Sequence, residues 1–142
     1  MTLITSISGI RGTIGGIVGD SLSPVDIVRF TTAYANFIKS KQNNIVSTNN
    51  ENKNTIVIGR DARISGLMVR NIVSGVLMSC GLNVKDLGLS TTPTVEMAVI
   101  LEKAAGGIII TASHNPKQWN ALKLLNNKGE FLSNEDGNKI LG

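Results

Sequence analysis

The segment Thr111-Ala112-Ser113-His114-Asn115-Pro116 places a hydroxyl, an imidazole and a carboxamide directly after an apolar run, Gly107-Ile108-Ile109-Ile110. A run of β-branched residues bounded by Gly and Pro reads as a strand buried on both faces. In open parallel sheets, ligands collect beyond the carboxyl ends of such strands. Ser113 is therefore a candidate nucleophile. Pro116 cannot continue a ladder and biases Asn115 away from helix, so Ser113, His114 and Asn115 are expected on a tight loop facing one ligand. A serine hydroxyl is a poor nucleophile at neutral pH, and positioned charges and proton acceptors have to activate it. His114 is the only histidine, and an imidazole titrating near ~6.5 works as acid or base. Adjacent residues of a regular strand face opposite ways, so a turning loop is needed to bring Ser113 and His114 to one substrate. Asn115 is expected to brace that loop through side-chain to backbone bonds, with direct substrate contact as the alternative. Taken alone, the same residues also suit a plain polar strand exit.

A second segment, Gly59-Arg60-Asp61-Ala62-Arg63, falls between a predicted strand and a predicted helix, where a phosphate cradle can form. Neither Gly-x-x-x-x-Gly-Lys-Ser/Thr nor Gly-x-Gly-x-x-Gly occurs, which leaves nucleotide binding unsupported. Arg60, Asp61 and Arg63 are expected either to form a structural ion-pair network or to contribute directly to the site. No Asp-x-Asp pair occurs, so a complete magnesium site is missing from these residues.

The elements that must hold these groups follow from capping and periodicity. Ser23-Pro24-Val25-Asp26 combines a capping serine, proline at the first helical position and a carboxylate three after the cap. Ile27, Phe30, Tyr34, Phe37 and Ile38 then recur at near 3.6-residue spacing, giving a helix to about Gln42 with one buried face. The polar stretch from Asn43 to Asn54 is expected to be a surface loop. Thr55 to Gly59 reads as a strand, and Ser65 to Cys80 as a helix burying Met68, Ile72, Val73, Val76 and Leu77, with Gly81 as its stop. Val84 to Leu89 reads as a strand, and Thr92-Pro93 as a cap-then-proline start for a helix through about Lys103. Gly107 to Thr111 is the strand that delivers Ser113. Asn120 to Leu125 is a further strand, closed by a turn at Asn127-Lys128-Gly129, and Ser133 caps a last helix from about Asn134. The β-α-β-α-β order predicts a three-layer α/β/α domain: a mainly parallel mixed sheet with helices on both faces.

The chain has 142 residues, enough for one domain with its own core. Its 42% hydrophobic share and 15 glycines suit buried aliphatic strands joined by tight turns. One cysteine, Cys80, excludes an internal disulfide framework and reads as a core residue. No ~20-residue apolar span or signal peptide is present, so a cytoplasmic protein is expected, with no membrane partner. The formal charge of +4 is dispersed, without basic clusters interleaved with aromatics. Nucleic acid is therefore not an expected partner, and an anionic small substrate is compatible with the charge.

Four segments in order resemble the α-D-phosphohexomutases, the family of phosphoglucomutase, phosphomannomutase and phosphoglucosamine mutase. They are Ser8-Gly9-Ile10-Arg11-Gly12, Gly59 to Gly66 (Gly-Arg-Asp-Ala-Arg-Ile-Ser-Gly), the Thr-Ala-Ser-His-Asn-Pro loop, and Asn120-Ala121-Leu122-Lys123. The resemblance implies that residues 1–142 form the first of four domains, the one bearing a phosphoserine, with the later domains of the same polypeptide absent from this chain. It implies an intramolecular phosphotransferase that moves phosphate between the 1- and 6-positions of a hexose phosphate through phosphorylated Ser113 and a sugar bisphosphate. Arg11 matches the family's N-terminal arginine near the phosphoserine. Lys123 matches the lysine that assists proton transfer or contacts phosphate, although Ala121 replaces the usual glycine two residues before it. His114 is implied to lie beside the sugar. The implied catalytic set is Ser113, His114, Lys123 and Arg11, and the implied binding set adds Asn115. Mg²⁺ would be held mostly by an Asp-Gly-Asp-x-Asp loop of the absent second domain, with Ser113 contributing through its phosphate. The domain alone is expected to be inactive. The alternatives are phosphoglucosamine mutase within the family and, outside it, a noncatalytic phosphosugar-binding module. A serine hydrolase lacks support, since no Gly-x-Ser-x-Gly elbow surrounds Ser113.

Overall fold

The computed structural model describes residues 3–6, 9–43, 52–112 and 116–141. Helix α1 (Pro24–Asn43) begins at the expected capping box. Ser23 Oγ accepts from the Asp26 amide at 3.3 Å, while the Asp26 carboxylate accepts from the Ser23 hydroxyl at 2.6 Å and from the Gly19 amide at 3.0 Å. Asp26 is fully buried. Burial pushes its carboxyl up, but the Ser23 hydroxyl, the Gly19 and Ser23 amides and Arg29 outweigh that effect and hold it below the ordinary carboxylate value. All five apolar positions expected to face inward, Ile27, Phe30, Tyr34, Phe37 and Ile38, are buried.

Six strands among the described residues form one sheet in the order β1-β2-β6-β5-β3-β4. They are β1 (Ile4–Ser6), β2 (Gly9–Thr13), β3 (Thr55–Arg60), β4 (Asn83–Leu89), β5 (Gly106–Ile110) and β6 (Trp119–Leu125). Strands β4, β3 and β5 pair in parallel, whereas β6 is antiparallel to β5 and to β2, and β1 is antiparallel to β2. Four of the six, β2 to β5, therefore run in one direction. Helices α2 (Gly66–Ser79) and α3 (Thr92–Leu101) connect the parallel strands, and α4 (Asn134–Leu141) follows β6.

Alternation along the strands separates the two helical layers. Ile56, Ile58, Ile108, Ile110, Leu122 and Leu124 share a core with α1, α2 and α4. The intervening Val57, Ile109 and Leu125 pack instead with Val95 and Val99 of α3. The architecture is the expected three-layer α/β/α domain with a mixed sheet. Tyr34 ties α1 to the middle of that sheet: its buried hydroxyl lies 2.6 Å from the Leu125 carbonyl and 3.2 Å from that of Gly107. Burial raises its phenol far above the ordinary value, so the hydroxyl stays a donor.

Several boundaries and faces differ from the sequence reading. Residues 4–6 and 9–13, not read as strand, form the antiparallel pair β1 and β2, because β2 gains a partner in β6. In α2, Met68 is exposed and Val69 takes the buried position beside Val73 and Leu77, with Ile72 at the margin of the core. Packing of α1 against α2 fixes that rotation. The cap of α3 is Thr91 rather than Thr92, its Oγ1 accepting from the Thr94 amide at 3.3 Å. Ser133 caps α4 as expected, through the Asp136 amide at 3.2 Å, and Cys80 is half-buried against the main core. Most of the expected polar loop, residues 44–51, lies outside the described residues.

Candidate functional site

Strands β3 and β5 are parallel neighbours whose ends, Arg60 and Ile110, are in register. The chain leaves β3 towards β4 and leaves β5 towards β6, on opposite sides in the sheet order. Such a divergence opens a crevice beyond the strand ends. Asp61 is held there by its amide, which donates to the Ile110 carbonyl at 3.1 Å. Past the end of β5, the Thr111 amide donates to the Ala121 carbonyl at 3.1 Å. Ser113, His114 and Asn115 lie outside the described residues. At Pro116 the description resumes, and the Trp119 amide donates to the Pro116 carbonyl at 2.9 Å as β6 begins.

The segment after β3 bonds to Thr111 and to Pro116, described residues on either side of 113–115. Thr111 Oγ1 donates to Asp61 Oδ2 at 2.6 Å. Arg63 donates to the same carboxylate, from Nε to Oδ2 at 3.2 Å and from its amide to Oδ1 at 3.1 Å. Its Nη1 donates to the Pro116 carbonyl at 2.7 Å and to that of Trp119 at 3.2 Å. Asp61 and Arg63 thus form the ion pair of the network expected from the sequence. Arg60 does not join them. Its Nε is buried without a hydrogen-bond partner, and its Cδ packs so near Gly66 that a methyl there would meet it at 3.6 Å. Strand alternation is the reason, since Arg60 shares its face of the sheet with Ile58.

Asn120 makes a second tie. It is fully buried, and its Nδ2 donates to Ser65 Oγ at 2.8 Å, joining the start of β6 to the cap of α2. The sequence reading assigns no specific contact to either Thr111 or Asn120. The available signal is that Thr111 ends a strand beside the one that leads into Asp61.

The two cations expected at the site sit on the adjacent antiparallel strands β2 and β6. Arg11 is in register with Ala121, and Lys123 with Gly9 on one side and Ile109 on the other. Register partners share a face, so Arg11 and Lys123 stand on the face that carries Ile109 and α3. Diagonal neighbours of this kind lie roughly 7–8 Å apart, within reach of one anion for long side chains. Arg11 is exposed and Lys123 half-buried. Ala121 occupies a regular position of β6, so the departure from glycine leaves the ladder intact. Gly9 and Gly12 make this placement possible: a Cβ at Gly9 would collide with the Leu122 carbonyl, and one at Gly12 would sit 2.7 Å from the Leu22 amide nitrogen. The strand pairing and the return of the chain before α1 both require their absence.

Two neighbouring cations on one face of the sheet are suited to holding a phosphate ester. Among the described residues, no group of three or more His, Cys, Asp or Glu side chains gathers to hold a metal. Asp61, the carboxylate at the strand ends, is already engaged by Thr111 and Arg63. These residues do not fit a magnesium centre. Among the described residues, no helix is long and apolar enough to cross a membrane.

Residues 4–142 match the model of the phosphoglucomutase/phosphomannomutase family, alpha/beta/alpha domain I. The chain is 33% identical over 126 residues to a phosphoglucomutase/phosphomannomutase of Thermococcus kodakarensis, covering 87% of this chain and 26% of that protein. It is 35% identical over 125 residues to a phosphoglucosamine mutase of Natranaerobius thermophilus, covering 88% of this chain and 26% of that protein. A crystal structure of a putative phosphomannomutase from Thermus thermophilus superposes with a TM-score of 0.78 at 27% identity, over 99% of this chain and 30% of that one. The chain thus spans about a quarter of the length of the curated relatives it matches. With the family model matched over residues 4–142, the chain belongs to the phosphoglucomutase/phosphomannomutase family as an alpha/beta/alpha domain I.

Proposed function

We propose that this domain supplies the phosphoserine of an enzyme that interconverts 1- and 6-phosphates of a hexose through a sugar bisphosphate. The observation that carries the reading is the pairing of Arg11 and Lys123 on one face of β2 and β6, beside the strand that leads to Ser113. A phosphoryl group in transfer carries charge on its equatorial oxygens, and cations placed in advance stabilise that charge without reorganising. In the forward half-reaction, the bond from phosphorus to the Ser113 oxygen breaks as a bond to a sugar hydroxyl oxygen forms. The hydroxyl proton passes to a base, Lys123 or His114, and the serine oxygen regains a proton. The bisphosphate then presents its other phosphate, and the same steps reversed return a phosphoryl group to Ser113. Arg11 holds the phosphate against the sheet, and Asn115 contributes to loop and ligand contacts. The Mg²⁺ expected from the resemblance would be held by groups other than the described residues, chiefly in further domains of the polypeptide.

Relatives named for glucose and mannose phosphates and for glucosamine phosphate are matched at similar identity. The sugar is therefore decided by assay: glucose, mannose and glucosamine 1-phosphates are supplied in turn with Mg²⁺ and the cognate bisphosphate. In the complete polypeptide, Ser113→Ala is expected to abolish turnover and to prevent label from a ³²P-bisphosphate appearing on the protein, with thermal unfolding unchanged. Turnover near wild type in that variant would overturn the reading. Binding of the sugar phosphate with neither isomerisation nor labelling of Ser113 would favour a noncatalytic phosphosugar-binding module.

A further inference from the structure

We infer that Asp61 and Arg63 are positioning residues for the reaction at Ser113, because together they fasten both ends of the segment that carries it. The inference rests on the phosphoserine reading above. Two residues before Ser113, the Thr111 hydroxyl donates to Asp61 Oδ2 at 2.6 Å, the length of a charge-assisted bond. Three residues after Ser113, the Pro116 carbonyl accepts from Arg63 Nη1 at 2.7 Å. Proline has no amide hydrogen, so this carbonyl is the hydrogen-bonding group its backbone offers. Asp61 and Arg63 are themselves joined at 3.2 Å. The circuit Thr111, Asp61, Arg63, Pro116 closes across the crevice, with its two central members on the neighbouring loop after β3.

The Arg63 side chain is only 12% exposed; its bonds to Asp61 and Trp119 are part-buried, and its short bond to Pro116 lies at the solvent-facing edge. A purely stabilising ion pair need touch no particular segment. This one reaches both Thr111 and Pro116, which flank Ser113 in the sequence, and reaches Trp119 at the start of β6 as well. Misplacement of a reacting group by about 1 Å can cost on the order of 10²-fold in rate, so the circuit acts on turnover more than on ground-state binding.

The test uses the complete polypeptide with Arg63→Ala, Thr111→Val and Ser113→Ala. Arg63→Ala is expected to lower kcat by roughly 10- to 100-fold while KM for the sugar phosphate stays within about 3-fold. Transfer of label from a ³²P-bisphosphate to Ser113 should slow by a matching factor. Thr111→Val should lower kcat in the same direction, and the double variant should lose less than the product of the two single losses. Arg63→Lys, which can still donate to the Pro116 carbonyl, should recover part of the loss. If Arg63→Ala fails to fold, Thr111→Val removes only a hydroxyl and decides through the same kcat and KM split. Wild-type kcat in both Arg63→Ala and Thr111→Val, with Ser113→Ala inactive, would overturn this inference and leave the phosphoserine reading standing. Turnover in Ser113→Ala would overturn that reading itself.

Discussion

On one face of the sheet, residues of β2, β3, β5 and β6 enter a core shared with α1, α2 and α4. On the other, Val57, Ile109 and Leu125 meet a smaller cluster around Val95, Val99 and Ala104. The thick face carries Tyr34, Leu77 and the aromatic rings of α1, all buried. The thin face is covered by α3 over β3 and β5, and further along it stand Arg11 and Lys123. The difference teaches that, on the proposed function, the larger share of core packing and the phosphate chemistry fall on opposite sides of the same strands. Alternation allows it, since neighbouring residues on one strand answer to different surroundings.

Truncation on the thick face should produce the largest effect. Leu77→Ala is expected to cost about 2–5 kcal/mol, through lost transfer energy and a cavity that α1 and the sheet cannot close. Val99→Ala, removing less from the thin cluster, should cost clearly less. Denaturant unfolding of the two variants would break the comparison if Val99 proved the more costly. A second prediction concerns the chemistry side. Lys123→Ala in the complete polypeptide should lower turnover by roughly 10²–10³-fold while the unfolding free energy changes by no more than about 0.5 kcal/mol. An unchanged rate would remove Lys123 from the site and leave its face without an assigned function.

The smallest effect belongs to the capping box at the edge of the thick face. The folded Asp26 carboxyl titrates below its unfolded value of about 3.9. A group shifted this way adds stability that is present above the unfolded value and is lost as pH falls through the lower folded value. Between about pH 5 and pH 2, the fall in stability should therefore be shallower in Asp26→Asn than in the wild type. Equal slopes in acid unfolding titrations would show that the Ser23 and Gly19 hydrogen bonds do not favour the charged form.

Local chemistry made much of this legible in advance. The capping box before α1 and the alternation of strands and helices from Thr55 to Ile110 depend on residues close in sequence, and they appear where expected. The segment Ile4 to Thr13 failed for the same reason. Its first strand is exposed throughout and its second reads Gly-Ile-Arg-Gly-Thr, so no local period marks it. A strand exists there because β6, more than a hundred residues away, supplies its hydrogen bonds. Met68 shows the same limit on α2: an apolar residue fits the helical stripe in sequence, yet the partner helix α1 decides which edge of the stripe is inside.

At the candidate site the division is similar. The residue types were readable, because a serine after a buried strand, a Gly-Arg-Asp-x-Arg segment and a lysine on the next strand are each statements about short stretches of chain. Their relations were not. Whether Asp61 pairs with Arg60 or with Arg63 depends on which way each side chain leaves the end of β3. That Arg63 reaches Pro116 depends on β3 and β5 being neighbours. The register of β2 on β6, which brings Arg11 within reach of Lys123, is likewise set by pairing across the sheet. By itself the sequence determined the family, the order of elements from α1 onward and the groups available for chemistry. Only the tertiary structure decided which of those groups meet across the site, because the contacts from Thr111 to Asp61 and from Arg63 to Pro116 close over fifty residues or more and are fixed by strand order and side-chain alternation, not by any local propensity.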